Sequence, residues 1–356
     1  MNKLLLILGA LALAATVAIP IFTHMAARRQ HTIRVDSETK ELREIFSAWT
    51  AKHSKIYATP AEKEFRFKTF AKNLLKIKAH NSNTKATYTM AVNQFADLSN
   101  EEFISKLGVN NPELKKDASE PRELQAEPET VKASLAQTPN FDWRNYLQQQ
   151  YITGSSGCND NYAWVGAVVM NADYFIKYSG QPNQPFSPQT YIDCSGNFGN
   201  YGCNGGWAVN AFKYSQQWGE ATMASYPYTG MQKACTSPVK QYMNSNINYI
   251  PQLSNTILYN TLANKNIISV NIDISGAQFY KGGVFTGPCT TTVNQGVVLV
   301  GAGLDGPSGL LYWTVLNTWG PNWGEGGYMR IARFTVDNNP QYSSCGLNMY
   351  ASLPVF

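Results

Sequence analysis

A thiolate nucleophile and the imidazole that takes up its proton must meet in one site, and this chain keeps the two residue types apart. The six cysteines, Cys158, Cys194, Cys203, Cys235, Cys289 and Cys345, all lie from residue 158 onward. The four histidines, His24, His31, His53 and His80, all precede residue 81. Residues 138–356 therefore hold no imidazole. An even cysteine count behind a secretory-looking start favours three disulfides. If all six pair, no thiolate remains.

The elements that would position any chemistry here are readable in outline. Residues 37–81 are charged and helix-favouring, with Leu42, Phe46, Trp49, Phe67, Phe70, Leu74 and Ile77 at helical spacing, which predicts two amphipathic helices. Residues 104–137 are polar and carry Pro112, Pro121 and Pro128, the composition of a surface linker. Further on, Asn161 opens an apolar run, Tyr162, Ala163, Trp164, Val165, Ala167, Val168, Val169 and Met170, suited to a buried central helix. At the start, Met1-Asn2-Lys3 precedes an apolar stretch from Leu4 to Phe22. That order predicts a secretory signal at residues 1–25, with Ala14, Ala15 and Ala18 as small residues for cleavage. The stretch is also long enough to cross a bilayer, so an uncleaved anchor stays open, and Arg28 and Arg29 leave its orientation undecided. There is no N-x-S/T sequon.

Two spaced patterns go beyond composition. Glu62, Arg66, Phe70, Asn73, Ile77 and Asn81 run along one side of the second predicted helix. Ala91-Val92-Asn93-Gln94-Phe95-Ala96-Asp97 follows shortly after. The first resembles, at every specified position, the E-x3-R-x3-F-x2-N-x3-I-x3-N signature of cathepsin L-like propeptides. The second resembles their G-x-N-x-F-x-D motif, with Ala91 in place of the glycine. Pro139-Asn140-Phe141-Asp142-Trp143-Arg144 then looks like the start of a mature papain-family domain. The resemblance implies an inhibitory prodomain at 37–103, whose tail runs through the substrate cleft in reverse, and a papain-like peptidase domain at 138–356.

Carried over residue by residue, the resemblance puts the family's nucleophilic cysteine on Asn161, counted either from Trp143 or from Cys158. Its histidine falls on Gln295, within Val293-Asn294-Gln295-Gly296. Neither side chain can ionise near neutral pH. Asn161 has a structural role available as a helix cap, its oxygen accepting from an early backbone N–H. The orienting asparagine is kept as Asn317, followed by Trp319, and the oxyanion-hole glutamine falls on Ser155. A substitute nucleophile would have to be Ser155, Ser156 or Thr318, activated without histidine by a lysine or a carboxylate, with Asp160 near in sequence to the two serines. Gly205, Gly206, Trp207, Asn271, Gly296 and Trp319 match the peptide groove, where glycine lets an extended backbone approach closely. The same resemblance pairs Cys158 with Cys203, Cys194 with Cys235 and Cys289 with Cys345.

The implied fold is α+β, a papain-like two-lobed fold with a helical lobe over 138–245 and a β-barrel-like lobe over 246–350, preceded by the helical propeptide inhibitor domain. No metal or cofactor is called for. The formal charge of +5 lies upstream, because residues 138–356 carry nine Lys and Arg against nine Asp and Glu. With no basic stripe of interleaved aromatics, nucleic-acid binding is not expected. The expectation is an inactive homologue in the secretory route, lysosomal, vacuolar or extracellular, that binds a peptide or protein, another protease among them, as an inhibitory or decoy module. An active lysosomal-type endopeptidase and a storage or structural protein of a granule or vacuole are the alternatives. Contact with a membrane is expected only if the N-terminal segment stays uncleaved.

Overall fold

The computed structural model describes residues 40–107, 140–147, 157–180, 184–236, 241–339 and 343–356. The predicted N-terminal segment, most of the predicted linker and Ser155 and Ser156 lie outside them. The chain divides into two compact units, one ending at Asn73 and one beginning at Leu74.

In the first unit, helix α1 (residues 40–52) and the start of α2 (Pro60–Asn81) meet through aromatic side chains. Phe46 packs against Phe67 and Phe70, and Trp49 against Phe70. Helix α2 begins where Thr59-Pro60 places a capping oxygen ahead of a proline that fits the first helical turn. Thr59 Oγ1 accepts from the Glu62 N–H at 3.1 Å, and Glu62 Oε2 accepts from the Ala58 N–H at 2.9 Å. The first letter of the propeptide signature is thus a helix cap.

In the second unit, the last letter of that signature is a turn device. The Asn81 carboxamide accepts from the Met90 N–H at 2.9 Å and donates to the Met90 carbonyl at 2.8 Å. This holds strand β1 (Tyr88–Met90) against the end of α2. A short helix, α3 (Asn100–Ser105), follows with a full capping box between Ser99 and Glu102.

Nine strands among the described residues join in the order β1-β5-β8-β7-β6-β4-β9-β3, with β2 also on β6. Besides β1 they are β2 (Phe141–Asp142), β3 (Asn246–Ile250), β4 (Ile268–Ile272), β5 (Tyr280–Phe285), β6 (Gln295–Asp305), β7 (Leu310–Leu316), β8 (Tyr328–Ala332) and β9 (Ala351–Val355). Strand β1 pairs antiparallel with β5, Tyr88 opposite Gly283. Gly283 has φ +95° there, and a Cβ on it would stand 2.5 Å from the Thr87 carbonyl. Only glycine lets the two backbones approach so closely.

Helices α4 (Asn161–Lys177), α5 (Pro188–Cys194), with α6 (Ala208–Trp218), form the helical half. Residues Asn161 to Asp173 of α4 are buried without a break, as an all-round apolar helix must be. Trp164, Tyr191 and Phe212 share one core with Val298, Val300 and Leu316 of the sheet. Helix α7 (Asn255–Ala263) lies on the strand side. The expected lobe limits need correction at both ends. Phe141 pairs with Ala302, so the sheet takes a strand from ahead of α4, and β9 runs past residue 350 to pair with β3 and β4.

Candidate active site

The site gathers at the head of α4, where Cys158 is tied to Cys203 by a disulfide with Cα atoms 4.6 Å apart. Cys194–Cys235 and Cys289–Cys345 are also bonded, and no cysteine is free. The helix is capped by Asp160, whose backbone carbonyl accepts from Ala163 at 2.8 Å, while its side chain makes no capping bond. Instead Asp160 Oδ2 accepts from the Tyr228 hydroxyl at 2.6 Å. Burial raises the Asp160 carboxyl above the ordinary range, opposed by that hydrogen bond. It is turned into the helical half.

Asn161 is 6% exposed. Its Nδ2 donates to the Gly296 carbonyl at 2.8 Å and to Thr318 Oγ1 at 3.0 Å. Its Oδ1 accepts from the Gly296 N–H at 2.8 Å. The expected helix-cap role for Asn161 is therefore overturned. The residue stands inside the first turn, and its oxygen is used by a strand 135 positions away. The early helix N–H groups of Ala163 and Trp164 already donate to the Asp160 carbonyl, which leaves the carboxamide to a backbone N–H and C=O that lack a strand partner.

Gln295, 1% exposed, opens β6 and donates from Nε2 to Asn317 Oδ1 at 2.9 Å. The same oxygen accepts from the Thr318 N–H at 2.8 Å. The structure thus brings Asn161, Gln295, Asn317, Gly296 and Thr318 into one buried network. Every side chain in it is an amide or a hydroxyl. Hydrogen bonds can pass through such a network, but no group in it exchanges a proton near neutral pH. Thr318 is 4% exposed and accepts from Asn161, with no base beside it among the described residues.

Of the expected groove residues, Trp207 and Asn271 share a cavity of about 340 Å³ with Val209, Tyr249, Met349 and Tyr350. Trp207 and Tyr350 face each other at 5.3 Å between ring centroids, and Asn271 Nδ2 donates to the Tyr350 carbonyl at 3.4 Å. Gly205 and Gly206 precede Trp207 but do not line this cavity. The Gly205 carbonyl accepts from the Tyr201 N–H, and a Cβ on Gly206 would strike Asn200. Gly296 is committed to Asn161.

Trp319 is engaged by the prosegment. Its ring meets Phe95 at 5.1 Å and Phe103 at 5.3 Å, and its carbonyl accepts from Gln94 Nε2 at 2.9 Å. Gln278, which the sequence did not single out, is 1% exposed and holds the same strip. Its Nε2 donates to the carbonyls of Phe95 and Leu98, while its own carbonyl accepts from Asn93 Nδ2 at 2.7 Å. Nothing in the local pattern around Gln278 signals this, because its partners lie some 180 residues earlier. Met349 and Tyr350 carry no local signal either, since they stand in the turn just before β9 and meet Trp207 only in the folded chain.

A strand of the prosegment on a mixed sheet and a buried helix facing that sheet match the proenzyme fold that the resemblance implies. The family model for papain family cysteine proteases matches residues 137–355, and that for the cathepsin propeptide inhibitor domain matches residues 46–103. The chain belongs to the papain family. It is similar to cathepsin L 2 of Paramecium tetraurelia, 32% identical over 322 residues that cover 87% of this chain and 92% of that one. It is also similar to fruit bromelain of Ananas comosus, 30% identical over 319 residues covering 87% and 85%. Among solved structures, digestive procathepsin L 3 of the Tenebrio molitor larval midgut superposes with a TM-score of 0.73 at 28% identity, covering 88% of this chain and 99% of that one.

Proposed function

We propose that this papain-family chain is a catalytically inactive homologue that uses its fold to bind a peptide or protein, another protease among the candidates, as an inhibitory or decoy module. The observation that carries the reading is the pair of carboxamides, Asn161 and Gln295, at the positions where the family resemblance puts its thiol and its imidazole. Two further facts support it. All six cysteines are in disulfides, and no histidine lies downstream of residue 80. Loss of one member of a catalytic unit costs on the order of 10⁶ in turnover in a well-studied serine protease, and further losses add little. The cavity beside Trp207 and Asn271 supports retained recognition of an extended peptide.

The relatives carry the names of proteases, cathepsin L and bromelain among them, which favours the competing reading of a working endopeptidase. Fluorogenic peptide libraries separate the readings. The inactive module leaves every member uncut yet binds some in preference to others. Sequence-selective cleavage overturns it, and indifference to all peptides points to a storage or structural protein.

Three disulfides suit an oxidising compartment, and we place the chain in the secretory route. No helix among the described residues is long and apolar enough to cross a membrane. Without its own chemistry, the chain keeps its prosegment or loses it to a different protease cutting within residues 104–137. N-terminal sequencing from the native source checks this, and self-maturation of pure zymogen at acidic pH contradicts it.

A further inference from the structure

We infer that Asn161 is a joint that locks the helical half to the sheet across the floor of the cleft. Gly296 sits on β6 opposite Asn271 of β4. On the other side of β6, β7 reaches only to Leu316, opposite Val298. Strand pairing on that side therefore stops short of Gly296, and its N–H and C=O need partners from elsewhere. The Asn161 carboxamide supplies both at 2.8 Å, completing a ladder rung with a side chain. A third bond, to Thr318 Oγ1 at 3.0 Å, fixes the amide plane.

The fit is closed on both sides. A Cβ built on Gly296 would lie 2.7 Å from Asn161 Oδ1 and 3.4 Å from Asn271 Oδ1, so an added methyl would push the Asn161 carboxamide out of the joint. A cysteine at position 161 has one weak donor and no N–H, and cannot make the two-point pair. The chain uses the same device between Asn81 and Met90 to hold β1. At the cleft it spans residues 135 apart in sequence, which makes it a tertiary constraint where the other is a local turn. The residue that removes the nucleophile thereby fixes the wall position of the groove. This inference extends the inactive reading, since it gives position 161 a use that needs no chemistry.

Hydrogen exchange and thermal unfolding of the full chain test it. In Asn161→Ala the Gly296 amide exchanges roughly ten-fold faster or more, the range for a lost buried hydrogen bond, while Met329 in β8 keeps its protection. Asn161→Ser, whose single hydroxyl is shorter than the carboxamide and offers one polar atom where two are used, falls between. Gly296→Ala lowers Tm by roughly 2–4 °C or more in the native background, as overpacking beside a fixed group does, and by less than half of that in Asn161→Ala. Unchanged Gly296 exchange, or costs that simply add, overturns the joint. None of these readouts is turnover, so the joint and the inactive reading fail separately.

Discussion

The floor of the cleft and the interior of the helical half, which share helix α4, treat ionisable groups in opposite ways. At the head of the helix, Asn161, Gln295 and Asn317 form a buried network in which nothing titrates. Within the helical half lie three buried carboxyls, Asp160, Asp173 and Glu220, none of them ion-paired among the described residues. Burial raises all three. Asp160 is opposed by the Tyr228 hydroxyl, Asp173 by the Ile267 N–H, and Glu220, pushed up to about 8, by the neighbouring hydroxyls of Tyr191 and Thr190 and the Ala221 N–H. Proton-exchanging groups are missing where the family resemblance puts chemistry, and are buried where that network does not reach. On the proposed inactive reading, the dependence on pH belongs to stability and not to turnover.

The hardest way to break this contrast is to return proton exchange to the cleft floor. Asn161→Cys with Gln295→His, preferably with Ser155→Gln, restores a thiol, an imidazole and the waiting Asn317 acceptor. Peptide hydrolysis then rises from none to a measurable rate, while either dyad substitution alone stays silent, because the two act as a unit. Failure of the full set to cut any peptide would show that more than the dyad has been lost. The gain comes with a lower Tm, since cysteine cannot replace the Asn161 pair to Gly296.

Next in size is the strap that holds the head of α4. Cys158 and Cys203 close a loop of 45 residues, for which replacing both by alanine costs about 4 kcal/mol by chain entropy. Urea unfolding checks it, and a loss of less than about 1 kcal/mol would assign the position of Asn161 to packing alone.

A smaller effect sharpens the pH side. The folded Glu220 carboxyl keeps its proton to about 8, against 4.5 when unfolded. Its contribution to stability is complete below pH 4.5 and is lost as pH rises toward 8, because the unfolded chain releases the proton first. Glu220→Gln removes that part of the slope, so its stability relative to the native chain improves steadily from pH 4.5 to 8 in thermal melts. A difference that does not change with pH would contradict the burial argument. The smallest expected effect is at the prosegment strip. Gln278→Ala removes donors to Phe95 and Leu98 and costs about 1–3 kcal/mol, seen as faster amide exchange in residues 93–103.

Much of this arrangement is legible without coordinates where the information is local. Thr59, Pro60 and Glu62 announce the start of α2, and counting from Trp143 or Cys158 places Asn161 at the head of α4. The resemblance implies the disulfide partners that the structure joins. What is hidden depends on register between distant segments. The Asn161 amide turns away from its own helix only because Gly296 is left short of strand pairing. Gln278 reads as an ordinary polar residue until β1 lies on β5, and Glu220, just after Gly219 at the end of α6, looks like a solvated helix end. A pattern that records spacing along one element cannot report which distant backbone groups lack a partner.

The central claim is most directly tested by active-site epoxide labelling of homogeneous full-length protein, read by intact mass. The account predicts no adduct on any residue from 138 onward at pH 5 or pH 7, with the Asn161→Cys, Gln295→His variant labelled on the new thiol. A single stoichiometric adduct on the native chain, lost when Asn161 alone is altered, contradicts it.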